Sequence, residues 1–277
     1  MKTFIRWIGN KSKYLKHITP HIPESFNKYI EPFVGSGAVF LYVQPKIWIL
    51  NDLNKDIHNV WKTLQNDADI FMAHVKKYGK YIDSFDHDER LTICRILTEK
   101  LQNLPYETKR AALYTVLKYN VYMGNLNKND KLYFRGLDLN YYKSALQTYE
   151  SQKYFENLKN IKQHMVNSKG KITNHDYKKT LQQARRGDFI FLDPPYFEDY
   201  DYDLQYLDNK QSKDGNTFVK DLLDELSKLD FKNVKWLTTQ PDTTFVRETF
   251  KKYNITSFKV YRAYNKAYKN ELIIKNY

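Results

Sequence analysis

The run Asp193-Pro194-Pro195-Tyr196 brings together a carboxylate, a backbone carbonyl stiffened by two prolines, and an aromatic ring. These groups suit chemistry on an exocyclic amine. Such a nitrogen is a poor nucleophile because its lone pair is delocalised into the ring that carries it. Two acceptors that take both amino hydrogens pull the nitrogen toward a tetrahedral shape and expose the lone pair. The Asp193 carboxylate and the Pro194 carbonyl can be those acceptors, and Pro194 and Pro195 fix the backbone so that the carbonyl points outward. Tyr196 can stack on an extruded base. Asp193, Pro194, Pro195 and Tyr196 therefore form the predicted catalytic set. The plainer alternative is a rigid turn with a buried tyrosine. The apolar run Asp188-Phe189-Ile190-Phe191-Leu192 just before it reads as a buried strand and argues against that alternative.

A second constellation is Glu31-Pro32-Phe33-Val34-Gly35-Ser36-Gly37, which follows the strand-like Tyr29-Ile30. Glycines after a strand let the backbone approach a ligand closely. The next strand-like run, Lys46 to Leu50, ends at Asn51-Asp52, and an acidic residue there can accept hydrogen bonds from ribose hydroxyls. The turn lacks a three-glycine dinucleotide fingerprint. With the Pro-Pro turn, this favours S-adenosylmethionine over NAD. A third segment, Arg6-Trp7-Ile8-Gly9-Asn10-Lys11, offers an aromatic for a sulfonium and a lysine for a carboxylate. Alone it reads as an ordinary amphipathic start.

The elements that must position these residues follow from periodicity. Strand, Gly turn, a helix starting at Ala38, a second strand, Asp52 and a helix over Lys55–Leu64 give the order of a nucleotide-binding βαβ unit. From Asp67 to Asn125 apolar residues recur at helical spacing, which predicts a mostly helical insert closed by the strand candidate Leu132-Tyr133-Phe134. Sheet patterning returns at Asp188–Leu192 and Lys235–Thr239, and in a final antiparallel pair over Ile255–Tyr261 and Glu271–Ile274. A helix is predicted over Thr217–Leu229 and a loop over Tyr200–Gly215.

Composition narrows the partners. A net charge of +13, spread as pairs such as Arg185-Arg186 and Lys251-Lys252, points to a folded basic face and a polyanionic partner, nucleic acid above all. The one cysteine, Cys94, excludes an intrachain disulfide and a Cys-based zinc site, and its apolar surroundings make it a core residue. His17 and His21 have helix-ligand spacing, but Pro20 lies between them and no carboxylates surround them, so no metal is expected. The N-terminus lacks a signal-peptide pattern and no run reaches membrane-spanning length. A cytoplasmic or other reducing, DNA-containing compartment is expected.

The three segments, in this order, resemble the Dam-type (D12 class) adenine-N6-specific DNA methyltransferases. The likeness covers nearly the whole chain, and Asn270-Glu271-Leu272-Ile273-Ile274 resembles the family's last strand. The resemblance implies an α/β, Rossmann-like S-adenosylmethionine-dependent methyltransferase domain over residues 1–66 and 136–277. A helical target-recognition insert would occupy 67–135. It implies S-adenosylmethionine contacts from Trp7, Lys11 and Asp52, a cofactor loop of Phe33, Gly35, Ser36 and Gly37, and Asp193 where cofactor and amine meet. The expected substrate is double-stranded DNA with a flipped-out adenine, read by Tyr122, Asn125, Asn127, Lys128 and Arg135. The chain is expected to be a monomer or weak dimer, with a cognate restriction endonuclease as partner if it is half of a restriction–modification pair. Two departures stand out. No guanine-reading arginine follows Tyr122–Asn127, so the family's best-known target is not carried over. Thr239-Gln240 stands where the family has Ser-Asn. The rival readings are an RNA or cytosine-N4 methyltransferase of the same fold, and a non-catalytic nucleic-acid-binding module.

Overall fold

The computed structural model describes residues 1–128, 131–134, 136–137, 151–196, 215–262 and 267–277. In chain order the helices are α1 (Leu15–Ile18), α2 (Ala38–Val43), α3 (Lys55–Asn66), α4 (Ala68–Asp83), α5 (His87–Asn103), α6 (Thr108–Asn120), α7 (Gln152–Asn167), α8 (Tyr177–Leu181), α9 (Gly215–Phe231) and α10 (Thr244–Thr249). The strands are β1 (Tyr29–Glu31), β2 (Ile47–Asn51), β3 (Asn127–Lys128), β4 (Lys131–Leu132), β5 (Lys169–Thr173), β6 (Phe189–Leu192), β7 (Lys235–Pro241), β8 (Asn254–Arg262) and β9 (Ala267–Lys275). They fall into two compact units. One comprises Met1–Ser12, Gly35–Gln44 and Asn54–Ile172, and the other Lys13–Val34, Pro45–Leu53 and Thr173–Tyr277.

The second unit contributes six strands to a seven-stranded sheet in the order β5-β2-β1-β6-β7-β9-β8. β2, β1, β6 and β7 run parallel, and β9 pairs antiparallel with both β7 and β8. This is a Rossmann-like sheet. Its centre explains the sequence pattern. Every residue of β1 and β6 is buried, so these strands read as unbroken apolar runs rather than as alternation. Ile190 and Leu192 point to one face, where Leu222, Leu226 and Leu229 of α9, Leu181 of α8 and Val246 of α10 close over them with Trp236. On β8 and β9 the predicted antiparallel pair is present.

One residue pins the carboxyl end of β1. The Asn51 amide donates to the carbonyls of Pro32 and His175, both at 2.9 Å, and its Oδ1 accepts from the Thr173 hydroxyl at 2.8 Å and from the His175 N–H at 2.9 Å. All four capacities of the amide are used. Asn51→Asp keeps the shape but turns two donors into an acceptor facing two carbonyls. Each group so stranded should cost about 1–3 kcal/mol. The expected result is a lower urea midpoint at an unchanged m-value.

In the first unit α3 to α6 are the helices the spacing predicts. Asn54 caps α3 by accepting from the N–H groups of Asp56 and Ile57, both at 3.0 Å. Asp86 and Glu89 form a capping box at the start of α5. Trp61 of α3 is fully buried, with Phe4 edge-on at 5.0 Å and Phe40 at 5.9 Å. Cys94 is buried on α5, and burial pushes its thiol up to about 12, as fits a core residue. Residues 67–128 lie in the same unit as α3 and α7.

Some expectations change. The strand expected at Leu132–Phe134 shrinks to β4, because its partner β3 is two residues long and the ladder ends with it. The helix α7 and the edge strand β5 were not anticipated. The Tyr200–Gly215 loop lies outside the described residues, apart from Gly215, which opens α9. Among the described residues no helix is long and apolar enough to cross a membrane, and no group of three or more His, Cys, Asp or Glu could hold a metal ion. His17 stacks on Phe258, at 5.3 Å between ring centres.

Candidate active site

In the second unit the chain leaves β1 toward β2 on one side and β6 toward β7 on the other. The strand order therefore reverses between β1 and β6, and the carboxyl ends flanking such a reversal are where open α/β sheets bind ligands. Asp193 is the first residue beyond β6, and Pro32 and Phe33 directly follow β1.

The Asp193 carboxylate is held in place. Its Oδ1 accepts from the Thr239 hydroxyl at 2.6 Å, and the Tyr196 hydroxyl lies 3.3 Å from the same oxygen. Thr239 is fully buried on β7, which pairs with β6 in parallel, so the sheet itself delivers the donor. The Tyr196 hydroxyl also lies 3.2 Å from Oε2 of Glu271, a carboxylate buried on β9. Tyr196, expected to face an incoming base, is itself buried, at 7% exposure. Sequence reasoning missed Thr239 and Glu271 as site residues. Thr239 was noted as a departure, and its position at the end of an apolar strand beside the Asp-Pro-Pro-Tyr strand was the available signal. Glu271 gave a weaker one, as an acidic residue opening an apolar run.

Asp52, at the end of β2, is also buried. Its backbone N–H meets the Thr173 carbonyl, and its own carbonyl accepts from the Asn174 amide at 2.7 Å. Phe33 packs its ring on Tyr177, 5.3 Å away. Glu31 accepts a 2.7 Å bond from the Tyr29 hydroxyl. Burial, and then the neighbouring Glu31 charge, push that hydroxyl's pKa well up.

The remaining cofactor candidates lie in the first unit. Gly35 has φ +45°, and its carbonyl accepts from the Trp61 indole at 2.9 Å. A Cβ there would fall 2.6 Å from the Trp7 indole nitrogen, so only glycine lets the loop and Trp7 pack together. Gly37 has φ +66° and precedes α2, and Ser36 between them is buried. Lys11 is buried and donates to the Gly9 carbonyl at 3.3 Å. The Trp7 ring carries a cation, because the Lys118 ammonium sits 4.2 Å from its centroid. Lys118 is buried on α6, and sequence reading gave no signal for it.

The DNA candidates separate. Tyr122 is 52% exposed and opens a short 3₁₀ turn to Gly124, and Asn125 follows it. The turn rests on Arg6, which donates to the Val121 carbonyl at 3.1 Å. A Cβ on Gly124 would fall 3.0 Å from the Arg6 stem. Asn127 and Lys128 form β3, and Arg135 lies outside the described residues.

The chain resembles known proteins along nearly its whole length. The type II methyltransferase M1.LlaDCHI of Lactococcus lactis subsp. cremoris is 25% identical over all of this chain and 96% of its own length. The DNA adenine methylase of Haemophilus influenzae is 26% identical over 95% of this chain and 87% of its own. The crystal structure of SMU.472, a putative methyltransferase complexed with SAH, is 14% identical over 61% of this chain and 45% of that one. Its TM-score of 0.28 is too low for the likeness to carry an argument. The family model of the D12 class N6 adenine-specific DNA methyltransferases matches residues 7–264, and the chain belongs to that family.

Proposed function

We propose that the chain performs its family's reaction, methyl transfer from S-adenosylmethionine to adenine N6 in DNA, on an adenine turned out of the duplex, with Asp193 and Pro194 receiving the amine. The observation that carries this reading is the Asp193 carboxylate, set just beyond β6 at the reversal of strand order and tied by a 2.6 Å bond to Thr239. A preorganised acceptor costs no rearrangement when charge develops on the nitrogen. Asp193 and Pro194 would hold the two amino hydrogens so that the N6 lone pair faces the methyl that bound S-adenosylmethionine would supply, and the methylated amine would then release one proton to solvent. Flipping the base costs a few kcal/mol, which stacking and phosphate contacts must offset.

Each unit holds residues that suit a part of the cofactor. Asp52, a buried carboxylate at a strand end, suits the ribose hydroxyls. The glycine-only backbone at Gly35 and Gly37, with Ser36, allows close approach, and Lys11 suits a carboxylate. Trp7 and Phe33 supply apolar ring surface. Bound S-adenosylmethionine supplies an electrophilic methyl on a positively charged sulfur, so no metal is needed. Asp52→Ala should weaken cofactor affinity by about 10–100-fold, the worth of hydrogen bonds to a charged group. The single-turnover rate at saturating cofactor should hold, because ribose contacts do not change in the transition state. Calorimetry that finds an unchanged affinity would make Asp52 a structural strand end only.

Residues 67–135 are the target-recognition insert in this reading. Tyr122, Asn125, Asn127, Lys128 and Arg135 lie nearest the DNA, and the chain works as a monomer or weak dimer in a DNA-containing compartment. A cognate endonuclease would share its recognition sequence. Replacing residues 118–136 with the matching stretch of a relative of known target should move the methylated sites, as read by methylation-sensitive long-read sequencing. An unchanged site would place specificity elsewhere.

The function itself is tested by incubating the protein and S-adenosylmethionine with duplex DNA, RNA of the same sequence, and adenine-free duplex, then analysing nucleosides by mass spectrometry. N6-methyladenine from DNA alone is expected. Methylated RNA or N4-methylcytosine would overturn the substrate assignment.

A further inference from the structure

Glu271 is a second carboxylate beside the Asp-Pro-Pro-Tyr turn, and it is buried. Its strand, β9, pairs with β7 so that Glu271 stands opposite Pro241, two positions beyond Thr239. The Tyr196 hydroxyl lies between the two carboxylates, 3.2 Å from Glu271 Oε2 and 3.3 Å from Asp193 Oδ1. A phenol carries one hydrogen. The oxygen that receives it becomes a weaker acceptor for anything else. Asp193 Oδ1 already takes a short bond from Thr239, at 2.6 Å. A full second donation from Tyr196 would draw its charge further from a substrate amine.

We infer that Glu271 is a positioning residue for methyl transfer: it takes the Tyr196 hydrogen and thereby keeps Asp193 a strong acceptor for the amine. This rests on the reading of Asp193 given under Proposed function. The Glu271 charge draws the phenol hydrogen to its own side, and burial strengthens that draw, because a bond to a charged group is worth more in a low-dielectric surrounding. Tyr196 is then a switchable donor whose direction Glu271 sets. No group is consumed, and the proton leaving N6 is a separate matter.

The test is a four-member cycle of wild type, Glu271→Gln, Tyr196→Phe and the double variant. Single-turnover transfer to duplex DNA is measured for each, with cofactor affinity by calorimetry. A glutamine oxygen is a weaker acceptor, so the phenol hydrogen swings to Asp193. Glu271→Gln should slow transfer by about tenfold, the rate equivalent of one weakened charge-assisted bond, with cofactor affinity unchanged. Tyr196→Phe leaves no hydrogen to misdirect, and whatever rate it loses with the hydroxyl is the baseline against which the double variant is read. For the same reason the double variant should recover to the rate of Tyr196→Phe. A role confined to packing would give additive losses instead. A double variant slower than Glu271→Gln, or a Glu271→Gln variant at the wild-type rate, overturns the inference. If Glu271→Gln does not fold, Glu271→Asp, whose carboxylate falls short of the phenol, replaces it with and without Tyr196→Phe, and a loss that Tyr196→Phe does not relieve overturns the inference. A near-wild-type rate in Asp193→Ala would instead overturn the underlying reading of Asp193.

Discussion

Asp193→Ala should lower single-turnover methyl transfer by about 10²–10³-fold, the usual loss when one preorganised catalytic hydrogen-bonding group is removed. The protein should remain folded. Asp193 follows β6 rather than belonging to it, and the apolar contacts of Ile190 and Leu192 do not involve it. The local cost is that the Thr239 and Tyr196 hydroxyls lose an acceptor. Tyr196 keeps Glu271 within reach, which limits that cost. Asp193→Asn is the sharper variant. It keeps the volume and one acceptor oxygen but removes the charge, and it offers two hydrogens where the amine must donate. It should fall nearly as far as alanine. Melting curves and cofactor titration establish that each variant is folded, and rapid-quench measurement then reads the chemical step. A rate near wild type in either variant would remove Asp193 from the chemistry.

Arg110→Ala should destabilise the helical unit by about 3–5 kcal/mol, the cost of breaking a buried ion pair from one side. Arg110 is buried on α6. Its Nε and Nη2 grip the two oxygens of Asp56 at 2.6 and 3.2 Å. Its Nη1 meets the carbonyls of Leu101 and Leu104, at 2.6 and 2.7 Å, where α5 ends. One guanidinium thus ties the first turn of α3 to the last turn of α5, and the Tyr106 ring covers it at 4.2 Å. Alanine strands a buried carboxylate and leaves helix-end carbonyls without their donor. Lysine cannot replace the planar fork and should recover little. The double change Asp56→Leu with Arg110→Met should cost less than Arg110→Ala alone, because no charge is then left buried. Chemical denaturation of the three variants tests this. Equal losses in the single and double variants would mean that the stability comes from the carbonyl bonds, not from the ion pair.

The legible parts of the fold were those whose signal is local. Phe189–Leu192 is apolar without a break because both faces are covered, and the proline pair after Asp193 marks the strand's end. Helices α4, α5 and α6 showed their apolar spacing. The strand β5 was not legible. Lys169-Gly170-Lys171-Ile172-Thr173 lies at a sheet edge, none of its residues is fully buried, and it carries neither apolar run nor alternation. At the site, Asp193 and Asp52 were readable from their place after strands. Thr239 and Glu271 act through non-local pairing: only the alignment of β7 with β6 and β9 brings them to Asp193 and Tyr196. Asn51 read as a strand terminus, and its task appeared only when Thr173 and His175 came to it from more than a hundred positions along the chain.

The single cysteine of the chain, buried on α5 with its thiol pushed up to about 12, makes a built-in reporter. Alkylating reagents attack the thiolate, and at neutral pH the closed unit offers almost none of it. Modification must then wait for α5 to part from its neighbours, so the labelling rate counts openings of the helical unit and no others. A mass shift from one alkyl group, followed over time, would measure that unit's opening free energy without a denaturant and without any signal from the sheet. Added DNA should slow the labelling if it grips these helices, and Arg110→Ala should quicken it.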